Sequence, residues 1–456
     1  MAMEDLTVRN VPPVETKYRR IVTPIPVPES IPTLESMLKN EALAMAGQPP
    51  ILWDRAEGFQ VYDRFGNKWI DWTSGVLVTN AGHCHPKVQK AIIDQASHGL
   101  LHAFTFPTEL RAKFSEKLVS VAPEGLDKTY LFTTGSEAVE GALKFARTYA
   151  QNIGGADKNI VVSFTNSFHG RTLGSQLAGG IPELKTWIVN RDPDNVQIPF
   201  PDGFRCPDVS FDLFLDTLEA AGVAPNRVAA VITESYQGGN ASFAPADYMQ
   251  KVRGWCDQYQ ASLIFDEVQA GFGRAGTYWA HEHYGVKPDL ITCGKGIACG
   301  LPLSAVVGRP EIMDVYPPAS MTATHTGNPI CLAAAHANLL AIEEDGLVEN
   351  SRRLGEILHT ELGRLKDKFS DRVGALHGKG LVAALHIVQS GGIEPDPQLT
   401  NKIVRHCIEK GLMLFAPVGY HESSVKVCPP LMIEEEALRE SIDVFEEAMT
   451  EAISLQ

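Results

Sequence analysis

Two side chains, Lys295 and Asp266, stand where they could perform chemistry on a bound aldehyde. Lys295 lies between two glycines after an apolar stretch, and Asp266 ends an upstream apolar run at residues 263–265. A lysine set among small residues at a strand end can lose its proton and form a Schiff base with an aldehyde cofactor, while an aspartate at such an end can hold a pyridinium proton. Either feature alone is more often a plain turn or strand end. Together they predict pyridoxal 5'-phosphate.

A helix start that could bind a phosphate precedes these residues. Residues 133–138, Thr-Thr-Gly-Ser-Glu-Ala, follow a predicted strand and open a helix with an apolar stripe. Free N–H groups at a helix start, the small Gly135 and the hydroxyl of Ser136 all favour a bound dianion. Taken alone, the segment is better interpreted as an N-cap at Ser136 with Glu140 completing the helix start, and the two roles are compatible.

The loop at residues 166–172 follows the next predicted strand. Its Phe168 could stack on a pyridine ring, and its Arg171 could bind a substrate carboxylate through two parallel hydrogen bonds, which a lysine would do poorly. Taken alone, such a loop is more often a packed turn with a surface arginine. We expect His169, in the same loop, to be structural.

Composition limits the kinds of partner. The chain has 456 residues, 44% of them hydrophobic, and a formal net charge of -15, which argues against nucleic acid or an anionic membrane as the main partner. The eight cysteines lack zinc-site spacing, so we expect reduced core thiols and no metal site. Residues 1–5 are acidic where a signal peptide would be basic, and no apolar run could cross a bilayer, so we expect a cytoplasmic protein.

The arrangement of elements predicts an α/β fold. Apolar strands alternate with helical stretches in the middle of the chain, which is typical of a mostly parallel sheet covered on both faces, with its ligand at the strand ends. The predicted strands are residues 129–132, 160–164, 229–233, 262–265, 290–292 and 303–307.

The flanking regions predict a smaller α+β domain. Residues 11–29 are rich in proline and predict an extended arm of the kind that often wraps a partner subunit, and residues 59–63 and 68–72 predict a hairpin. The predicted organisation is an arm and the start of the small domain at 1–57, a small-domain hairpin at 58–80, a large cofactor-binding domain at 81–330 and a C-terminal small domain at 331–456. The C-terminal elements are predicted at 350–369, 381–387, 398–410, 413–415, 425–428 and 434–453.

These motifs give the chain a clear resemblance to a known family. From about Trp53 to Leu455 it resembles the class III aminotransferases, which are fold-type I pyridoxal-phosphate-dependent transferases, in the subgroup of 4-aminobutyrate, ornithine and acetylornithine aminotransferases. The matching segments are Ser74-Gly75-Val76 through Gly82-His83, Thr134-Gly135-Ser136-Glu137-Ala138, Phe168-His169-Gly170-Arg171-Thr172, Glu234 with Gln237-Gly238, Asp266-Glu267-Val268-Gln269, Gly294-Lys295-Gly296 and Gly327-Asn328-Pro329.

The resemblance implies a role for each matching position. Lys295 would be the Schiff-base lysine and Asp266 the partner of the pyridine nitrogen. The other implied cofactor-binding residues are Gly135 and Ser136 at the phosphate, Phe168 and Val268 on the two ring faces, Gln269 near the ring hydroxyl, Glu234, and Thr324, donated to the phosphate of a neighbouring subunit. The implied assembly is a homodimer with shared active sites, with a tetramer open.

The resemblance also bears on the substrates. Arg171 matches an arginine that binds the carboxylate remote from the reacting amine, and Val76 stands where 4-aminobutyrate enzymes carry an aliphatic residue. Lys426 and Gly239 replace the arginine and glutamate of the family's dual-specificity switch, and Ser235 replaces a usual proline. The implied reaction moves an amino group from an ω-amino acid, or a related amine, to 2-oxoglutarate or pyruvate.

Other functions stay open at this point. An amino acid racemase or epimerase on the same fold needs no second substrate, so loss of the switch residues would suit it. A non-catalytic binding protein is disfavoured because every implied cofactor residue is present. A zinc or nucleotide enzyme lacks both ligand spacing and the usual glycine-rich phosphate loop.

Overall fold

The chain forms two compact units in a computed structural model that describes residues 5–454. The small unit contains the described residues up to His85 together with those from Asn350 onward, and the large unit spans Pro86–Glu349. The predicted boundary after residue 330 falls within the helix Pro329–Glu344, which belongs to the large unit. The division into arm, hairpin, large domain and C-terminal domain stays a prediction.

The N-terminal part of the small unit is built on a sheet. Val61 lies opposite Trp69 in an antiparallel pair, as the predicted hairpin requires. The proline-rich segment is not an arm throughout, because two of its short strands pair with each other and Arg20 pairs with Lys68 of the hairpin. The elements are β1 (Val14–Glu15), β2 (Arg20–Ile21), α1 (Ile31–Asn40), β3 (Arg55–Glu57), β4 (Gln60–Tyr62), β5 (Lys68–Asp71) and α2 (Ser74–Leu77).

The large unit contains a seven-stranded sheet in the order β6-β12-β11-β10-β9-β7-β8. Every pairing from β8 to β11 is parallel, and β12 runs antiparallel to both of its neighbours. The prediction of a largely parallel sheet is therefore confirmed, although the edge strand β8 was not predicted. The strands are β6 (Lys128–Phe132), β7 (Ile160–Phe164), β8 (Asn195–Ile198), β9 (Val228–Glu234), β10 (Ser262–Asp266), β11 (Leu290–Cys293) and β12 (Ser304–Gly308).

Both faces of this sheet are covered. Alternate residues of one strand point to opposite faces, and accordingly Ile264 packs into one core cluster while Leu263 and Phe265 pack into another. The first cluster contains Ala138 of α5, and the second contains Trp255 of α8. The helices of the large unit are α3 (Pro86–His98), α4 (Glu109–Ser120), α5 (Gly135–Gly154), α6 (Leu173–Ala178), α7 (Asp212–Ala220), α8 (Ala246–Tyr259), α9 (Pro310–Met313) and α10 (Pro329–Glu344).

The C-terminal part of the small unit mixes helices and strands, as predicted for an α+β region. Its three-stranded sheet has the order β13-β14-β16, and β15 joins β5 in parallel. Strand β13 was not predicted. The elements are α11 (Leu347–Lys368), β13 (Val373–Lys379), β14 (Val382–Ile387), α12 (Pro397–Glu409), β15 (Leu412–Met413), β16 (Ser424–Val427) and α13 (Glu435–Ser454).

Two further expectations concern the whole chain. All eight cysteines are free thiols, but Cys84 is exposed and Cys206 and Cys299 are partly exposed, so describing all of them as core thiols was wrong. Within residues 5–454, no helix combines the length and apolarity needed to cross a membrane.

Candidate active site

The predicted site residues of the large unit lie at one edge of its sheet. Glu234 ends β9 and Asp266 ends β10, and the ladder places Asp266 between Glu234 and Thr292. Lys295 follows β11, and the loops after β6 and β7 carry the predicted phosphate-binding and ring-stacking segments. Strand β6 runs in the same direction as β11, because two antiparallel pairings separate them. All five segments therefore leave the sheet at the same edge, where ligands of open α/β sheets bind.

Lys295 has an unusual backbone and a perturbed amine. Its φ of 43° lies in the left-handed region, which non-glycine residues adopt at a cost and which is concentrated at functional sites. Burial lowers the pKa of Lys295, and the carboxylates of Asp266 and Glu234 oppose that effect. Within residues 5–454 its amine has no hydrogen-bond or ion-pair partner. A buried amine of this kind is a good nucleophile toward a carbonyl.

Asp266 is held by three donors from different segments. Its Oδ1 accepts from the backbone N–H of Val268 at 3.1 Å and from the hydroxyl of Thr292 at 3.0 Å. Its Oδ2 lies 2.8 Å from Nδ1 of His169. The carboxylate is 5% exposed, so its orientation is fixed by buried contacts. A carboxylate held in this way can serve as a fixed acceptor for a ligand N–H.

His169, which we expected to be structural, makes a direct contact with Asp266. The imidazole is fully buried, and its Nε2 has no hydrogen-bond partner among the described atoms. Because a carboxylate accepts the bond at Nδ1, the ring acts there as donor. No sequence signal indicates this pair, since His169 lies in the loop after β7 and Asp266 is the last residue of β10.

The predicted phosphate-binding segment does open a helix, but its capping differs from the prediction. Thr134, not Ser136, is the N-cap of α5, and Glu137, not Glu140, completes the capping box. Glu140 instead accepts from the N–H groups of Gly174 and Ser175 at the start of α6. Thr134 has the extended backbone dihedrals of an N-cap, and Glu137 follows it by the three residues of a capping box, whereas Ser136 and Glu140 are four residues apart.

This capping leaves groups available for an anion. In the described part of the chain, the backbone N–H groups of Gly135 and Ser136 have no acceptor, and they are the first two of a twenty-residue helix. A Cβ on Gly135 would lie 2.8 Å from Cγ1 of Val268, and a Cβ on Gly294 would lie 3.5 Å from that atom. Val268 therefore packs between the phosphate-binding segment and the Lys295 loop.

Phe168 and Arg171 lie beside the start of α5. The backbone N–H of Arg171 donates to Oγ of Ser136 at 3.0 Å, which joins the two predicted segments. The guanidinium of Arg171 lies 5.5 Å from the Phe168 ring centroid. It is exposed and forms no ion pair within residues 5–454, so it is available for an anionic ligand.

Glu234 is a buried carboxylate with two backbone donors. It accepts from the N–H of Phe168 at 2.9 Å and from the N–H of Gly238 at 2.8 Å. Burial raises the pKa of Glu234 from 4.5 to about 7, and the charge of Asp266 adds to that effect, while His169 and the two N–H groups oppose it. A carboxyl group with this pKa changes its charge near neutral pH.

Gln269 and Thr324 both belong to the large unit. The side-chain amide of Gln269 fills the space in front of Gly238, where an added Cβ would approach its Nε2 to 2.4 Å. Thr324 is exposed in the segment between α9 and α10. The preceding residues Thr322 and Ala323 line an open groove that also contains Glu137 of α5.

The two predicted substrate residues of the small unit, Val76 and Lys426, lie on adjoining segments. The hydroxyl of Ser74 donates to the carbonyl oxygen of Cys428 at 2.6 Å. Val76 is 46% exposed and has a φ of 67°, which is a strained conformation for a β-branched residue. Lys426 is buried on β16. The tie between residues 74 and 428 therefore brings the two segments together within this unit.

Comparison with known proteins agrees with this site. Residues 43–449 match the family model described as "Aminotransferase class-III". The chain is 34% identical to a 4-aminobutyrate aminotransferase of Mycobacterium leprae, covering 93% of this chain and 97% of the relative. It is also 31% identical to an alanine/serine racemase of Pyrococcus horikoshii, over 96% of this chain and 94% of the relative. The ornithine aminotransferase structure from Toxoplasma gondii superposes with a TM-score of 0.84 at 25% identity, covering 94% of this chain and 96% of that one.

Proposed function

The chain belongs to the class III aminotransferase family, and we propose that it moves an amino group from an ω-amino acid resembling 4-aminobutyrate, or from a related amine, to a 2-oxo acid. The observation that carries the proposal is the unpartnered, buried amine of Lys295 at the same sheet edge as Asp266 and the open start of α5. These three features are what an enzyme that acts through pyridoxal 5'-phosphate requires.

The residues present fit this cofactor. The free N–H groups of Gly135 and Ser136, with the Ser136 hydroxyl, would hold the phosphate at a helix start. Phe168 and Val268 would cover the two ring faces, Asp266 would hold the protonated ring nitrogen, and Gln269 would lie near the ring hydroxyl. When bound, the cofactor supplies an aldehyde carbon for the amine and a ring that withdraws electrons from the reacting carbon.

Lys295 would serve in two ways. Its amine would hold the bound cofactor, and when a substrate occupies the site the free amine would carry a proton between the substrate carbon and the cofactor. The lowered pKa of Lys295 suits both roles, because a neutral amine is needed to bond and to accept a proton. Asp266, oriented by Thr292 and His169, would hold the proton on the ring nitrogen.

Arg171 and Val76 support an amino donor with a remote acid group. The exposed guanidinium of Arg171 lacks an ion pair within residues 5–454 and can bind a carboxylate through two hydrogen bonds. Val76 would offer an aliphatic surface to the carbon chain of the donor. An ω-amino acid presents both a carboxylate and an apolar chain, which is why we favour this class.

Handling of the acceptor would differ from that of enzymes with the arginine and glutamate switch. Lys426 can attract a carboxylate but lacks the planar grip of arginine, and Gly239 has no side chain to mask it. Pyruvate and 2-oxoglutarate both carry an α-carboxylate that Lys426 could attract, so either can be the acceptor. Initial rates with each oxo acid and one donor would decide between them.

A racemase or epimerase is the second candidate function. It is favoured by the loss of both switch residues and by the relative named as an alanine/serine racemase. Incubation with a chiral amino acid and no oxo acid separates the two functions. Inversion of the amino acid without accumulation of the amine form of the cofactor would favour racemisation, and accumulation of that form would favour transamination.

We also propose a homodimer, with Thr324 of each subunit reaching the phosphate of the other, and leave a tetramer open. Thr324 is exposed, so its side chain is accessible to a second subunit. Eight unbridged cysteines are typical of a reducing compartment and support a cytoplasmic location. Light scattering, with Thr324→Ala assayed for weaker cofactor binding, would test the shared site.

The central experiment is covalent trapping. Borohydride should fix the cofactor on Lys295 of the loaded enzyme, and peptide mass analysis should find the reduced adduct at that residue. Lys295→Ala should purify without the corresponding absorbance and fail both half-reactions. An adduct at another lysine, or full activity of the variant, would refute the proposal.

A further inference from the structure

The carboxylate of Glu234 is buried between two loops of the site and contacts both of them. It is 5% exposed, and its two carboxylate oxygens point to different loops. Oε2 accepts from the N–H of Phe168, and Oε1 accepts from the N–H of Gly238. Both oxygens are therefore engaged with protein donors that come from the loops after β7 and β9.

Two neighbouring carboxylates hold consecutive residues of the Phe168 loop. Glu234 and Asp266 are directly paired in the parallel ladder of β9 and β10. Glu234 binds the backbone of Phe168, and Asp266 binds the ring of His169. The Phe168 backbone and the next side chain are thereby tied to the ends of β9 and β10, which limits the positions that the Phe168 ring can take.

We infer that Glu234 is a positioning residue, which sets the Phe168 ring over the bound cofactor by holding the Phe168 backbone and does not touch the cofactor itself. This rests on the proposed function, since it assumes that Phe168 stacks on a pyridine ring. It replaces the direct cofactor-binding role that the family resemblance implies for Glu234.

The chemistry of the side chain explains why a glutamate suits this place. A carboxylate offers an acceptor in each of two directions, and each bond to a charged acceptor is stronger than a neutral one. Glutamine has one acceptor oxygen, and its NH2 group would face the second N–H donor. Glu234→Gln should therefore release one of the two loops while keeping the size of the side chain.

Amide hydrogen exchange of the cofactor-free protein tests the contact directly. At a pH above about 7, where Glu234 is charged, the amide of Phe168 or of Gly238 should exchange at least about tenfold faster in Glu234→Gln than in the wild type, because a bond to a charged acceptor is lost. The amide of Val268, which is held by Asp266, should be unchanged and serves as the internal reference. Unchanged exchange at both Phe168 and Gly238 would overturn the inference.

The matched control is Ser235→Ala. Ser235 is the next residue, is also buried, and donates to Glu267 at 2.5 Å rather than to the Phe168 loop. Its substitution should leave the exchange of the Phe168 amide as in the wild type. If Glu234→Gln does not fold, Glu234→Asp keeps the charge on a shorter side chain that reaches only one N–H. Exchange faster than in the wild type at one of the two amides would then support the inference. Exchange at the wild-type rate at both amides would oppose it.

A double-mutant cycle on cofactor affinity separates positioning from direct binding. Dissociation constants for pyridoxal phosphate are measured by absorbance titration for the wild type, Glu234→Gln, Phe168→Ala and the double variant. We expect about tenfold weaker binding for Glu234→Gln and no further weakening when it is added to Phe168→Ala, because a residue acting through a ring has no effect once the ring is absent. If the dissociation constant of the double variant instead rises by the product of the two single-variant factors, Glu234 touches the cofactor, and the inference is overturned.

The outcomes also separate this inference from the proposed function. If no adduct forms at Lys295, the function fails, yet the exchange experiment still reports on the Glu234 contacts of the protein. If the adduct forms but the exchange or the cycle gives the contrary result, only the positioning role fails.

Discussion

The raised pKa of Glu234 gives a prediction about stability that can be worked through in sign and size. The carboxyl group has a pKa of about 7 in the folded chain against 4.5 for an unperturbed glutamate. Folding therefore favours the protonated form. The stability that this proton provides is fully present below pH 4.5 and is lost as the pH rises through about 7.

The size follows from the difference between the two pKa values. At about 1.4 kcal/mol for each pH unit, a rise from 4.5 to about 7 corresponds to a total of about 3.4 kcal/mol. About 2.5 kcal/mol of this falls between about pH 5 and about pH 8, because part of the total is already lost at the lower pH. Glu234→Gln is uncharged throughout and should not show this loss.

The assay is chemical denaturation of the cofactor-free wild type and Glu234→Gln at fixed protein concentration, since association of subunits would otherwise shift the midpoints. The free energy of unfolding of the wild type should fall by about 2.5 kcal/mol more than that of the variant between the two pH values. The comparison cancels the titration of groups that do not interact with Glu234. If the difference in unfolding free energy between the wild type and the variant changes by less than about 0.5 kcal/mol between the two pH values, the argument that burial raises this pKa is refuted.

Three further outcomes follow from the site. Arg171→Ala should raise the Michaelis constant for acidic donors by about 10- to 100-fold while sparing simple amines, and equal losses on both would contradict the carboxylate role. Gly135→Ala should lower the thermal midpoint of the cofactor-free enzyme, because the added Cβ would lie 2.8 Å from Cγ1 of Val268. Adding Val268→Ala should restore that midpoint, whereas a midpoint lowered by the sum of the two single effects would exclude the clash. Thr292→Val removes one of the three donors to Asp266 and should weaken cofactor binding less than Asp266→Ala, as measured by absorbance titration.

Sequence patterns predicted the elements with strong apolar runs and missed those without them. Strands β9 and β10 are fully buried and were predicted to within two residues. Strand β8 has the sequence Asn-Val-Gln-Ile at the edge of the sheet, and β13 contains two glycines. Strand β8 does alternate polar and apolar residues, but over only four positions, and β13 shows neither a continuous apolar run nor a regular alternation, so periodicity gave only a weak signal for both.

The residues of the site were predictable by type, but their mutual contacts were not. Lys295 and Asp266 follow from strand ends and small neighbours, which are local features. The pair of His169 with Asp266 and the bonds from Glu234 to the loops depend on which strands lie side by side, and the order of strands is not written in any single segment. The shift of the cap from Ser136 to Thr134 is a smaller error, since helix ends depend on backbone dihedrals that composition specifies only loosely.

Three buried acidic residues at this sheet edge differ in how many donors they receive, and that difference explains the electrostatics around Lys295. Glu267 accepts from the Ser235 hydroxyl, two backbone N–H groups and the His281 ring. Asp266 has three donors and Glu234 has two. Burial disfavours a carboxylate unless donors compensate it, and with its two donors Glu234 has a pKa raised to about 7. The charge of Glu234 opposes the lowered pKa of Lys295. Protonation of Glu234 near neutral pH would therefore lower the pKa of that amine further.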